Sequence, residues 1–272
     1  MQSKKFRIVF IGDISGKYGR RILGKALPMI RVKYEPDLVI ANGENSAGGL
    51  GIIPKTAYEI FQAGVDIITT GNHVWDKKEA VDLLKEDSRI LRPLNFPPSA
   101  PGRGHTVFRS DNKGEALIVN LQGRVFMDPV VDNPFLAIDD LLKNRLEKVI
   151  FVDFHAEATA EKQAMGFYLD GRVGAVLGTH THVQTTDLRI LENGTAYQSD
   201  VGMTGSLDSV IGMKREPVIK KFISGVNQRF EVAGGYLILD MSVVDIDTVT
   251  GKTVYTEYLR IFEDTYQTQL KL

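Results

Sequence analysis

Five short apolar runs, each broken off by a small cluster of polar residues, constrain this chain more than any other feature. They occupy residues 6–11 (FRIVFI), 38–41, 66–70 (DIITT), 148–154 (KVIFVDF) and 173–177. They are rich in β-branched residues, too short for helices and bounded by turn-forming residues, which is the pattern of buried strands. Between the first three lie stretches with apolar residues at helical spacing. One covers residues 19–35, where Pro28 predicts a kink or break; the other runs from Pro54 to residue 63, with Gly64 as its stop. Strand, helix, strand in that order predicts a parallel sheet built from right-handed crossovers, and so an α/β fold.

The remainder of the chain is less regular. Residues 92–104 hold four prolines and two glycines and predict an irregular excursion. Two strand-like segments at 105–109 and 116–121 flank DNKG, a hairpin turn. Helices are expected at 133–146 and 158–169. Beyond residue 183 short segments near 187–191, 196–199, 236–243 and 253–262 read as antiparallel strands, interrupted by a helix around 217–228. There is no internal repeat and no linker-like stretch, so a single domain over residues 1–272 is expected.

Bulk composition excludes several function classes. Thirty-three basic and 34 acidic residues give a net charge of −1, and no basic block marks a nucleic-acid-binding surface. Cysteine is absent, which rules out disulfides, thiolate metal sites and a cysteine nucleophile. The apolar stretch at 6–11 ends at Gly12-Asp13, too early for a signal peptide, and no apolar run approaches the length of a bilayer span. The expectation is a cytoplasmic protein with no membrane partner. A homo-oligomer is left open.

The polar clusters carry the chemistry. The first run ends in Asp13, the second in Glu44-Asn45, the third in Asn72-His73, the fourth in His155 and the fifth in Thr179-His180-Thr181-His182. If the fifth run continues as a strand through GTHTHV, His180 and His182 point to the same side of it. In open α/β sheets ligands sit outside the carboxyl ends of the strands, so clusters far apart in sequence become neighbours. They contain two carboxylates, two carboxamides and four of the five histidines. Mixed nitrogen and oxygen donors without sulfur suit iron or manganese, with magnesium or zinc as alternatives. The donors are too many for one ion. Two divalent ions roughly 3.5–4 Å apart would use them all, acidify a bound water and clamp an in-line displacement at phosphorus.

These residues resemble a known family. Asp13, Gly43-Glu44-Asn45, Gly71-Asn72-His73, His155 and Gly178-Thr-His-Thr-His182 are similar to the motifs of the calcineurin-like metallophosphoesterases. Two departures are visible: Ser15 stands where Asp-x-His would place a histidine, and Glu44-Asn45 replaces the usual aspartate. Both departures, with GRVFM at 123–127 and DVGMTG at 200–205, resemble the YmdB-type subfamily of bacterial phosphodiesterases. The resemblance implies an αββα sandwich, two mixed sheets flanked by helices, with a dinuclear site at one edge. It implies that Asp13, Glu44, Asn45 and His182 hold one ion and that Glu44, Asn72, His155 and His180 hold the other. Glu44 would bridge, and Asn45 would replace the ligand lost at Ser15. His73 would not be a ligand but would lie over the substrate phosphate as a charge stabiliser or acid. The implied activity is hydrolysis of phosphodiesters, including 2′,3′-cyclic nucleotides.

Competing readings stand beside several of these residues. Asp13, Asn45 and Asn72 are also common turn residues. Asp76 could orient His73, but DKKE at 76–79 has the spacing of a helix N-cap, which is the favoured reading. His105 is expected at the surface. Arg124 and Asp200 are candidate substrate contacts, with a salt bridge or a turn as the alternative. Rival functions are a phosphomonoesterase or 5′-nucleotidase and, from a different class, a nucleotide-sensing regulator that acts through a partner.

Overall fold

The computed structural model describes residues 4–110 and 113–271; the centre of the expected hairpin turn, 111–112, lies outside them. The chain starts as β1 (Lys5–Ile11), passes through β2 (Asp13–Ile14) and enters α1 (Gly16–Tyr34). It continues through β3 (Leu38–Asn42), α2 (Pro54–Ala63), β4 (Ile67–Thr69), α3 (Ala80–Glu86) and β5 (Ile90–Leu91). Pro28 does not break α1. Ile22, Leu23, Ala26, Leu27 and Ile30 form a continuous buried stripe, and packing of that stripe outweighs the roughly 3 kcal/mol that an interior proline costs.

The second half opens with the hairpin β6 (His105–Ser110) and β7 (Gly114–Gln122), then α4 (Pro134–Leu142), β8 (Val149–His155), α5 (Thr159–Tyr168) and β9 (Ala175–Thr179). Shorter pieces follow: β10 (Arg189–Ile190), β11 (Ala196–Gln198), β12 (Met203–Ser206) and α6 (Arg215–Ser224). The long hairpin of β13 (Leu237–Asp247) and β14 (Thr253–Phe262) precedes α7 (Tyr266–Gln269). The helices expected at 133–146 and 217–228 are shorter than their patterns suggested.

Two mixed sheets result. One is eight-stranded, in the order β2-β12-β13-β1-β3-β4-β5 with β14 on β13; the other is six-stranded, β10-β11-β9-β8-β7-β6. Strands β1, β3, β4 and β5 run parallel, as do β7, β8, β9 and β11. Alternation along β1 shows how the layers are glued. Phe6, Ile8 and Phe10 face the second sheet, meeting Ile118, Phe151 and Leu177, whereas Val9 and Ile11 face the helical layer with Leu23 and Leu27. The Phe10 and Phe151 rings meet edge to face at 5.0 Å in the inter-sheet layer. Outside the second sheet Val119, Val152 and Val176 pack on Ile138 of α4 and Met165 of α5. The architecture is therefore an αββα sandwich. No helix among the described residues is long and apolar enough to cross a membrane.

Candidate metal centre

Both sheets deliver polar residues to one edge. Asp13 follows β1, Glu44 and Asn45 follow β3, and Asn72 and His73 follow β4, all in the first sheet. His155 ends β8 and His180 and His182 follow β9 in the second. The meeting point is the ring of His155, which is fully buried. Its Nε2 lies 3.1 Å from Glu44 Oε1, 3.1 Å from Asn72 Oδ1 and 3.0 Å from His180 Nδ1. Gly71 makes the approach possible, since a Cβ on it would collide with the imidazole. Glu44, His155 and His180 thus form a His/Glu cluster able to hold a metal ion.

Each histidine of the cluster has its outer nitrogen tied down. Thr179 Oγ1 donates to Asp153 Oδ1 at 2.7 Å, so that oxygen accepts from His155 Nδ1 at 2.8 Å. Glu157 Oε2 lies 3.1 Å from His180 Nε2. The carbonyl of Ile211 takes the Nδ1–H of His182 at 2.9 Å. These partners place the protons on the outside and turn the lone pairs of His155 Nε2, His180 Nδ1 and His182 Nε2 inward, as second-layer partners of ligating histidines do. Four lone-pair atoms crowding at about 3 Å repel one another unless a cation lies among them. That spacing is also what donors with bonds of about 2.1 Å take up around one ion.

A second group lies beside the first. Asp13 Oδ1 is 3.8 Å from His182 Nε2 and 4.0 Å from His155 Nδ1, while Asp13 Oδ2 accepts the His180 backbone N–H at 3.1 Å. Asn45 Nδ2 donates to the Gly49 carbonyl at 3.1 Å. Asp13 Oδ1 and Asn45 Oδ1 are buried with no hydrogen-bond partner among the described residues. Buried acceptors of that kind are costly unless something satisfies them. The donor set therefore fits an ion here as well. Ser15 is buried beside Gly212, where a Cβ would collide with its Oγ, and that oxygen has no hydrogen-bond partner among the described residues.

Electrostatics follow from burial and crowding. Burial opposes charge on His155, but the Glu44 carboxylate and its hydrogen bond, helped by Asp13 and Asp153, raise it to about 9. Burial pushes Glu44 upward too, yet the facing His155 and the His73 N–H hold it at about 2. Burial, with charged His155 alongside, drives His180 down to about 3. Burial raises Asp13 and carries Asp153 up to about 7. Among these side chains alone a single proton on His155 holds the cluster together, occupying the place that suits a cation.

Three expectations need correction. GTHTHV is not a strand: β9 stops at Thr179, and His180 and His182 have φ of 103° and 63°. The left-handed turns send the two rings to different carboxylates, His180 toward Glu44 and His182 toward Asp13. Asp76 is not a helix cap, because α3 begins at Ala80 with Glu79 before it. Instead a turn bonded from Asp76 N to His73 O at 3.1 Å brings Asp76 Oδ2 to 2.8 Å from His73 Nδ1. His105 does not face solvent freely; its Nε2 lies 2.6 Å from Arg145 Nη2.

Other positions are plain. His73 donates its backbone N–H to Glu44 Oε2 at 3.0 Å and its ring lines the cavity over the cluster. The Arg124 side chain is exposed on the loop after β7, and its backbone N–H donates to Glu161. Asp200 is buried, paired with the equally buried Lys162 at 2.8 Å. Neither Arg124 nor Asp200 is among the described residues that line the cavity. Sequence reading missed Glu157, Thr179, Asp153 and Lys162 as supports of the site. Asp153 and Glu157, each two residues from His155, and Thr179, next to His180, stood close in sequence to candidate ligands, whereas Lys162 left no local signal.

The chain matches the family described as YmdB-like protein over residues 9–259. It is 48% identical over 260 residues to the 2′,3′-cyclic-nucleotide 2′-phosphodiesterase of Bacillus subtilis, covering 95% of this chain and 98% of that protein. A crystal structure of a novel phosphatase from Mycoplasma pneumoniae superposes with a TM-score of 0.91 at 38% identity, covering 98% of each chain. A hypothetical protein from Thermus thermophilus gives a TM-score of 0.89 at 43% identity, covering 94% of this chain and 99% of that one.

Proposed function

The chain belongs to the YmdB-like family, and from that premise we propose that it is a dinuclear-metal phosphodiesterase that opens small cyclic nucleotides. The observation that carries this reading is the convergence of His155 Nε2, His180 Nδ1 and His182 Nε2 with Glu44, Asn72 and Asp13. Glu44, Asn72, His155 and His180 would hold one divalent ion, and Asp13, Asn45 and His182 the other, with Glu44 shared. Iron or manganese suits these donors first, with magnesium or zinc as alternatives. When bound, such a pair acidifies water and shields the charge that builds at phosphorus.

The side chains do the remainder. Asp76 holds the His73 ring through Nδ1, and in this reading Nε2 would face the diester. On hydrolysis a water oxygen bonds to phosphorus and gives up a proton to solvent, the ring P–O bond breaks, and the departing sugar oxygen needs a proton in return. His73 would supply it from Nε2 and regain one from solvent. The backbone N–H of His73 on Glu44 couples the acid to the cluster, so its distance from phosphorus is set by the same residue that would bridge the ions.

A panel of 2′,3′-cyclic nucleotides, bis(p-nitrophenyl) phosphate and p-nitrophenyl phosphate tests the reading in Mn²⁺-loaded protein. Diesters are expected to turn over faster than the monoester. Faster turnover of the monoester would make the protein a phosphatase, and no turnover of either would remove the enzymatic reading.

A further inference from the structure

The cavity above the cluster has two unlike halves. Its floor is polar, built from Glu44, Asn45, His73, His180 and His182, while its wall is formed by Leu50, Ile211, Met213, Val218, Phe222 and Phe230. At about 490 Å³ it is the size of a small-molecule site. A phosphate group alone has no use for such a wall.

Helix α6 supplies much of it. Val218, Lys221 and Phe222 fall at i, i+3 and i+4 and so share one face. Val218 is the helix's only buried residue. Phe222 is 83% exposed and Phe230 39% exposed, so neither ring is consumed by the core. Lys221 Nζ stands 5.3 Å from the Phe230 ring centroid and places a positive charge on the same wall. An exposed Phe222 ring and a half-exposed Phe230 ring with Lys221 against it, beside the candidate metal centre, suit a ligand with a flat, weakly polar group attached to its phosphate.

We propose that Phe222 and Phe230 form a stacking subsite for the nucleobase of the substrate. The inference rests on the cyclic-nucleotide reading above and specifies how the non-reacting end is held. The two rings and their apolar neighbours offer a base edge no side-chain donor or acceptor; the polar side chains of the lining are Lys221, Glu157, Thr181 and those of the floor. The subsite therefore accepts any base through its π-face and selects nucleotides over diesters that lack one.

The test compares kcat/KM for 2′,3′-cyclic AMP and 2′,3′-cyclic UMP with that for methyl riboside 2′,3′-cyclic phosphate, which has no base. Wild type is expected to favour both nucleotides to a similar degree. Phe222→Ala and Phe230→Ala should each lower the nucleotide-to-baseless ratio about 10-fold, mainly through KM, the low end of what one base–aromatic stack contributes. Phe222→Tyr, which keeps the ring, should retain the ratio, and metal content identifies any variant that has lost its fold. A ratio unmoved in metal-loaded alanine variants overturns the subsite while leaving the phosphodiesterase reading intact. Wild type that cleaves neither nucleotide nor baseless diester overturns that reading and the subsite with it.

Discussion

Asp76 Oδ2 lies 2.8 Å from His73 Nδ1, and the two residues are joined by a turn rather than by a helix. The carboxylate occupies Nδ1, which leaves Nε2 as the nitrogen free of a protein partner at this contact. His73→Ala is expected to keep both metals and to lose roughly 10²–10⁴-fold in kcat, the usual contribution of a positioned acid. The loss should shrink for p-nitrophenyl esters, whose leaving group needs little protonation. Asp76→Asn should show the same leaving-group pattern at smaller amplitude. Steady-state rates on good and poor leaving groups, with metal analysis, decide it; a missing metal in His73→Ala would make His73 a ligand.

Glu44 touches both the His155 ring and the His73 backbone N–H. Metal analysis of Mn²⁺-saturated protein should return two ions per chain. Glu44→Gln should weaken both together because it removes the shared negative charge, whereas Asn72→Ala should weaken mainly one. A single ion in saturated wild type would sink the dinuclear reading.

Glu157 holds His180 from outside, with Oε2 3.1 Å from Nε2. Outer partners of this kind typically contribute about 10- to 100-fold in metal affinity or activity. Glu157→Gln should keep an acceptor for Nε2–H and cost little, while Glu157→Ala should fall in that range. Chelator competition measures both; equal affinities for wild type and Glu157→Ala would leave Glu157 without a role.

Lys162 is a buried lysine whose Nζ donates to Asp200 Oδ2 and to the Thr179 carbonyl, both at 2.8 Å. Asp200 in turn accepts the Thr181 N–H at 3.0 Å, so the pair pins the loop carrying His180 and His182. Lys162→Met leaves a buried carboxylate unpaired and should cost about 3–5 kcal/mol. Urea denaturation of chelator-treated protein reads the cost, and a change below about 1 kcal/mol would contradict the assignment.

His105 sets a pH dependence away from the site. Burial, then the guanidinium groups of Arg145 and Arg103, hold its imidazole below the ordinary value near 6.5. The unfolded chain therefore binds the proton first as pH falls. The contribution to stability is complete above about pH 6.5 and declines as pH drops through the depressed value. His105→Gln should flatten that decline relative to wild type. Urea midpoints between about pH 7.5 and pH 5 test it; parallel curves would refute it.

Local pattern along the chain was enough to establish the strands and what stands at their ends. Apolar runs bounded by polar clusters are short-range signals, and so are the proline that opens α2 and the glycine that stops it. Strand, helix, strand order then limits the topology, which is why Asp13, Glu44, Asn45, Asn72, His73, His155, His180 and His182 could be expected together at strand ends, although residue order did not show that they come from two sheets. Direction and support came only with the folded chain. Period-two reasoning sent His180 and His182 the same way, but left-handed φ values, in a loop held by a lysine 17 residues away in sequence, turn them to separate carboxylates. Capping statistics assigned Asp76 to a helix, but the chain turns before α3 and gives the carboxylate to His73. Each of these outcomes depends on a partner brought near by folding, and spacing along the sequence carries no record of such partners.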